Sequence, residues 1–160
     1  MTRLLEAEVA VAGEFELGEG PVWDASRGLL VWVDILAGYV HTLNPATGAL
    51  ANRRPFVTVP DADGIPDGLT LDAEGCVWLA VWGSGELRRY TPDGRLDTVV
   101  ALPARQVTSA AFGDDDLGTL YITTASEGLT ETELGEQPHA GDVFACVPGV
   151  TGRLPFLFAA

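Results

Sequence analysis

Residues Gly64–Gly94, GIPDGLTLDAEGCVWLAVWGSGELRRYTPDG, read as three short strands separated by turns. An apolar run closes at Asp72 and a polar turn follows. A second run centres on Trp78, and Gly85 then opens ELRRY, whose apolar–polar alternation has the two-residue period of a strand. A Pro-containing turn ends the unit, and a fourth β-rich run covers Asp97–Leu102.

The same order of features occurs twice more. Upstream lies GPVWDASRGLLVWVDILAGYVHTLNPATG, Gly20–Gly48. Its first strand ends at Asp24, its second centres on Trp32, and Gly38 opens YVHTL. Downstream, AAFGDDDLGTLYITTAS starts at Ala110 with Tyr121 as its aromatic, and AGDVFACVPG resumes at Ala140. Fourth runs are expected at Pro55–Val59 and Pro155–Ala159. The first two units are offset by about 46–48 residues, a spacing of propeller blades. No helical periodicity is sustained, and the polar stretch Glu127–His139 is expected to be a surface loop inserted in the third unit.

These repeats predict an all-β chain: a partial β-propeller of three four-stranded antiparallel blades in one domain. Blade one covers about 15–60, blade two about 64–103 and blade three about 107–160, the last joined by an N-terminal strand at Leu4–Val11. Propellers close with about four to eight blades, because each sheet buries both faces on its neighbours. Three blades leave two apolar faces uncovered, and such patches mark interfaces.

Composition narrows the function classes. The 160 residues carry 23 Asp+Glu against 9 Lys+Arg, a formal charge of −14 that repels phosphate backbones and argues against nucleic-acid binding. The N-terminal segment is acidic with no long apolar core, and no run reaches membrane-spanning length, so a cytoplasmic location is expected. Cys76 and Cys146 sit in apolar strand-like runs without a CxxC or histidine cluster and are expected as free thiols.

The phrases LGEGPVWD (Leu17–Asp24), WVDILAGYVHTLNPATG (Trp32–Gly48), GIPDGLTLDAEGCVWLAVWGSGELRRYTPDG (Gly64–Gly94), VTSAAFG (Val107–Gly113), LYITTA (Leu120–Ala125) and HAGDVF (His139–Phe144) resemble the gluconolactonase/regucalcin family, also called senescence-marker protein. The resemblance implies half of a six-bladed propeller. Members of that family are about twice this length, and the pattern passes from the first blade, near Asn44–Gly48, to what looks like the end of the fourth. It also implies metal-dependent hydrolysis of sugar-derived lactones with one divalent cation, calcium or zinc, in the central channel.

On that resemblance Glu19 matches a metal ligand, and Asp67 matches a second ligand that is also the general base. Each precedes a first strand in two equivalent repeats. Taken singly, either acid reads as an ordinary turn carboxylate beside Gly or Pro. The family's asparagine ligand and its substrate-contacting Arg-x-Asn segment have no counterpart in this chain. Trp82 is a candidate for lining the channel mouth, with ordinary packing as the alternative.

Other constellations are weaker. His41 and His139 lie far apart without ligand-like spacing and are expected in solvent-facing or loop roles. Ser109 and Ser126 lack a glycine elbow and a histidine partner, GEG and GSG lack a strand–helix context, and Trp23, Trp32 and Trp78 read as sheet core. Two chains about a two-fold axis along the channel would make six blades, so a homodimer that restores the ligand set is one expectation. The competing readings are a non-catalytic cation- or partner-binding fragment, and an internally deleted product without an independent role.

Overall fold

The structure is a computed structural model that describes residues 18–24, 28–34, 39–44, 47 and 56–154. Three antiparallel meanders follow in chain order. The first sheet is β1 (Gly18–Asp24), β2 (Leu29–Asp34) and β3 (Tyr39–Leu43). The second is β4 (Ile65–Leu71), β5 (Val77–Trp82), β6 (Glu86–Tyr90) and β7 (Leu96–Ala101), and the third is β8 (Val107–Gly113), β9 (Thr119–Thr124) and β10 (Val143–Cys146).

The first strand of each sheet lies innermost. β4 packs against β1 on one side and β8 on the other, while the later strands diverge. This wedge packing is that of consecutive propeller blades, and the chain is a partial β-propeller. Two apolar clusters hold the blades together. Val31 meets Leu69, Leu71, Val77, Leu79 and Val81 between the first and second sheets. Trp78, Ala80 and Leu87 meet Val107, Ala110, Leu120 and Ile122 between the second and third.

Among the described residues the sheets have three, four and three strands, where four each were expected. The fourth strand of the central sheet is present as β7. Residues Phe56–Val59 form no strand, although Val59 is buried in the first cluster. The expected strands Leu4–Val11 and Pro155–Ala159 lie outside the described residues.

Three further expectations are corrected. The insertion after Glu127 is not all loop: α1 (Glu131–Glu136) forms because Thr130 and Glu133 make a reciprocal capping box that satisfies orphan N–H groups. Trp32 and Trp78 are not equivalent. Val31 faces the next sheet, as Trp78 does, so Trp32 points the opposite way, because adjacent residues of a strand alternate faces. Trp23 is half-exposed rather than core.

The central sheet contains a charge network that the sequence reading missed. Asp72 is fully buried, and its Oδ2 accepts from Arg89 Nε (2.8 Å) and Trp78 Nε1 (3.0 Å). Its Oδ1 accepts from the backbone N–H groups of Glu74 and Cys76, both at 3.0 Å. Arg89 also donates to Asp97 Oδ2 (2.7 Å) and Glu74 Oε2 (2.6 Å). One guanidinium thus joins the β4–β5 turn, β6 and the start of β7. Burial pulls the Arg89 pKa down, but its hydrogen bonds to Asp97, Glu74 and Asp72 outweigh this and the net shift is upward.

Removing the cation would strand a buried carboxylate, which costs about 3–5 kcal/mol. Urea denaturation of Arg89→Met is expected to show a loss of that order, larger than that of Asp97→Asn. Hydrogen bonding from Arg89, and then Thr98, holds the Asp97 carboxyl below its usual range. A depressed folded-state pKa adds stability above the unfolded value, about 3.9, and that stability disappears as pH falls through the folded value. The urea midpoint should therefore decline below about pH 4, and Asp97→Asn should flatten part of that decline.

Candidate active site

The starts of β1, β4 and β8 lie at one end of the inner strands. Glu19 is the second residue of β1 and its backbone pairs with Val33. Asp67 is the third residue of β4, half-buried, within an irregularity of the ladder between the pairs Pro66–Val81 and Leu69–Leu79. The β1 ladder has the same irregularity after Glu19. Both acids therefore stand near the start of the first strand of neighbouring sheets, Glu19 just before an irregularity and Asp67 within one; the Glu19 side chain lies outside the described residues. An extra residue at such a point bends the strand and re-aims its side chains.

The corresponding position of the third sheet holds Thr108, also at a ladder irregularity. Its hydroxyl lies 2.7 Å from that of Thr123. Beside Asp67 the inner strands nearly touch. A Cβ added to Gly68 would fall 2.5 Å from Ser109 Oγ and 2.7 Å from the Thr108 carbonyl oxygen. Only glycine permits this approach. The second clash is with backbone, so the strand cannot yield by a rotamer change.

Trp82 stands at the same end. It pairs with Ile65 at the start of β4 and bridges to Gln106 just before β8, and its side chain is half-buried. The structure thus places Trp82 at the end of the sheet where β4 begins, the end that also carries Asp67. The α1 insertion is fastened there too. Gln106 Nε2 donates to the Glu127 carbonyl (3.0 Å), and the buried Gln137 Oε1 accepts from Arg105 N (2.8 Å). Gln106 and Thr108 had no signal in the sequence reading, because neither belongs to a motif with a chemical signature.

A calcium ion takes 6–8 oxygen ligands, and zinc about four donors. Among the described residues no group of three or more His, Cys, Asp or Glu is placed to hold a metal ion. The inner-strand position carries a carboxylate at Asp67 but only a hydroxyl at Thr108. The described residues of one chain do not fit a complete cation site.

The other candidates do not assemble into a site. His41 is buried and stacked on Trp32 (5.3 Å between rings), not solvent-facing as expected. His139 is exposed, with Nδ1 2.9 Å from Asp142 Oδ2 and its ring edge-on to Phe144. Ser109 belongs to the β4–β8 approach, and Ser126 lies beside Gly141. Cys76 and Cys146 are both free; burial pushes each thiol pKa up, and for Cys76 the Asp72 carboxylate adds to it.

The sequence profile of the SMP-30/gluconolactonase/LRE-like region matches residues 17–50 and 45–126. The chain belongs to that family. Its two matched stretches overlap at 45–50, where the sequence reading put the junction between blades. The chain is 34% identical over 161 residues to regucalcin of Danio rerio, covering 96% of this chain and 55% of the relative. It is 41% identical over 112 residues to L-arabinolactonase of Azospirillum brasilense, covering 70% of this chain and 37% of the relative.

In structure it resembles regucalcin of Agrobacterium tumefaciens, described as a calcium-binding protein, with a TM-score of 0.79 and 27% identity. That likeness covers 90% of this chain and 50% of the other. The chain spans about half the length of the curated relatives it matches.

The close approach at Gly68 makes a test of site geometry. Gly68→Ala should destabilise by about 1–3 kcal/mol in urea melts, the usual cost of overpacking. Adding Ser109→Gly should restore part of the loss and no more, since the Thr108 carbonyl stays in place; full rescue would show that the backbones do not meet there.

Proposed function

We propose that this chain supplies the catalytic face of a lactonase acting on sugar-derived lactones, with Asp67 as general base. The observation that carries this reading is the position of Asp67. It stands near the start of the innermost strand of the four-stranded sheet, at a ladder irregularity, with Trp82 at the same end of that sheet. Kinship with relatives named as lactonases supplies the reaction class.

The chemistry asked of the protein is modest. Water adds to the lactone carbonyl carbon while the Asp67 carboxylate accepts its proton. The ring C–O bond then breaks and the ring oxygen leaves as a hydroxyl, taking up a proton, so the product is the open hydroxy acid. Trp82 offers an apolar wall to a sugar ring. Glu19 and Asp67 are the carboxylates that would hold a divalent cation, calcium or zinc, which supplies Lewis acidity when bound. The missing ligands must come from outside the described residues of one chain.

No helix among the described residues is long and apolar enough to cross a membrane. Two free thiols support a reducing cytoplasmic setting. A second reading, a non-catalytic cation- or partner-binding fragment, is favoured by one observation: Asp67 has only Thr108 as its counterpart in the third sheet.

Acid release from glucono-δ-lactone, followed with added calcium or zinc and again after chelation, separates the two. Chelator-sensitive turnover reduced about 10²–10⁴-fold in Asp67→Ala is the expected result. Calcium-dependent thermal stabilisation without turnover above the spontaneous rate would establish the second reading instead.

A further inference from the structure

Two side-chain amides fasten the insertion that carries α1, and each leaves one atom unused. Gln106 Nε2 donates to the Glu127 carbonyl, and Gln137 Oε1 accepts from Arg105 N. Those bonds fix which end of each amide is oxygen and which is nitrogen. The other atoms, Gln106 Oε1 and Gln137 Nε2, are shut off from solvent, and neither has a hydrogen-bond partner among the described residues. Gln137 as a whole is only 6% exposed. An unpaired polar atom is costly inside a protein, so such pairs are rare and point to a place where a partner enters.

Both amides stand at the end of the central sheet that carries Asp67. Gln106 bridges to Trp82 and directly precedes β8. The Arg105 carbonyl accepts from Gly83 N (2.9 Å) and Gly85 N (3.0 Å) in the β5–β6 turn, which ties this segment to the central sheet. The insertion above it is less firmly held. No residue of α1 is buried, and Gly128 and Gly141, at φ 74° and 94°, bound the segment in a conformation that suits glycine. Lifting the insertion about these two points would uncover both amides.

What the unpaired atoms require is specific. Gln106 Oε1 needs a donor and Gln137 Nε2 an acceptor. A hydroxyl is both, whereas a carboxylate serves only the second and an ammonium only the first. Charge narrows the choice further. Glu127, Glu131, Glu133 and Glu136 surround the amides in sequence, in a chain at −14, and disfavour an anion. Trp82, across the bridge from Gln106, offers an apolar surface to the ring that bears the hydroxyls.

We infer that Gln106 and Gln137 form a recognition site for the hydroxyl groups of a neutral sugar ring, over which the insertion closes. That this ring is the lactone substrate rests on the reading proposed above; the demand of the two amides for a hydroxyl does not.

Two substitutions separate recognition from fastening. Gln106→Lys keeps a donor for Glu127 and removes the unpaired acceptor. Gln137→Glu keeps an acceptor for Arg105 and removes the unpaired donor. In the full 160-residue chain, kcat/KM for glucono-δ-lactone relative to δ-valerolactone, the same ring without hydroxyls, should fall about tenfold in each variant. Ligand-observed NMR should show wild-type protein binding D-glucose but not tetrahydropyran, with the glucose signal lost in both variants. Gln106→Met replaces any charged variant that fails to fold. A lowered unfolding midpoint with an unchanged substrate ratio would mean that the amides serve folding alone, with water at the unpaired atoms, and would overturn the inference. Wild-type protein that binds both rings alike would overturn it too. Glucose discrimination lost in the variants, with neither lactone hydrolysed above the spontaneous rate, would keep the site and remove the lactonase reading. Hydrolysis with a ratio indifferent to both variants would do the reverse.

Discussion

The central sheet is buried on both faces, and the other sheets take their places from it. Along β5, Val77, Leu79 and Val81 point to the first sheet while Trp78 and Ala80 point to the third. A strand enclosed on both sides must be apolar at every position, which is why Val77–Trp82 carries no charge where an exposed sheet would alternate. The third sheet has no such obligation on its outer side, where Tyr121 meets solvent; on the outer side of the first, Trp23 is exposed but Trp32 and His41 are buried. Sandwiching also sets the spacing of the inner strands. With β5 packed on β8 and β1 held by the opposite cluster, β4 must pass within backbone distance of β8, and Gly68 is the residue that permits it.

Polar groups within so apolar a unit must be completely partnered. Asp72 is. Four donors converge on its two oxygens, and they come from the β4–β5 turn, β5 and β6. The network fixes the end of the sheet far from Asp67, so the two ends have different tasks. At one end a neutralised carboxylate locks strands together. At the other a carboxylate stands at a strand irregularity near Trp82 and Gln106. Both acids are in or beside β4, at its opposite ends.

Much of this was legible in the sequence. The repeated order of apolar run, turn, aromatic run and glycine located all ten strands of the described residues, and Glu19 and Asp67 both fall within the first three residues of a sheet's first strand. The aromatic alignment failed by one residue. Trp32 and Trp78 look interchangeable in a repeat, but a shift of one flips a side chain to the other face of a sheet, and only pairing fixes the face. The helix in the insertion was overlooked because six residues are too few to show periodicity; its Thr130–Glu133 capping box was the available signal. The hub at Arg89 was not legible at all, since its partners lie 8, 15 and 17 residues away in sequence and converge only through the meander.

A carboxylate at the start of an inner strand can organise a cation only if others face it across the channel, and the third sheet offers Thr108 there. Bringing further carboxylates to one axis, in a chain already at −14, raises the repulsion among them unless a cation is present. Within the described residues Asp67 faces a hydroxyl and no second carboxylate, so further oxygen ligands would have to come from elsewhere, and a cation held there would be stabilised by the same negative charge that it offsets.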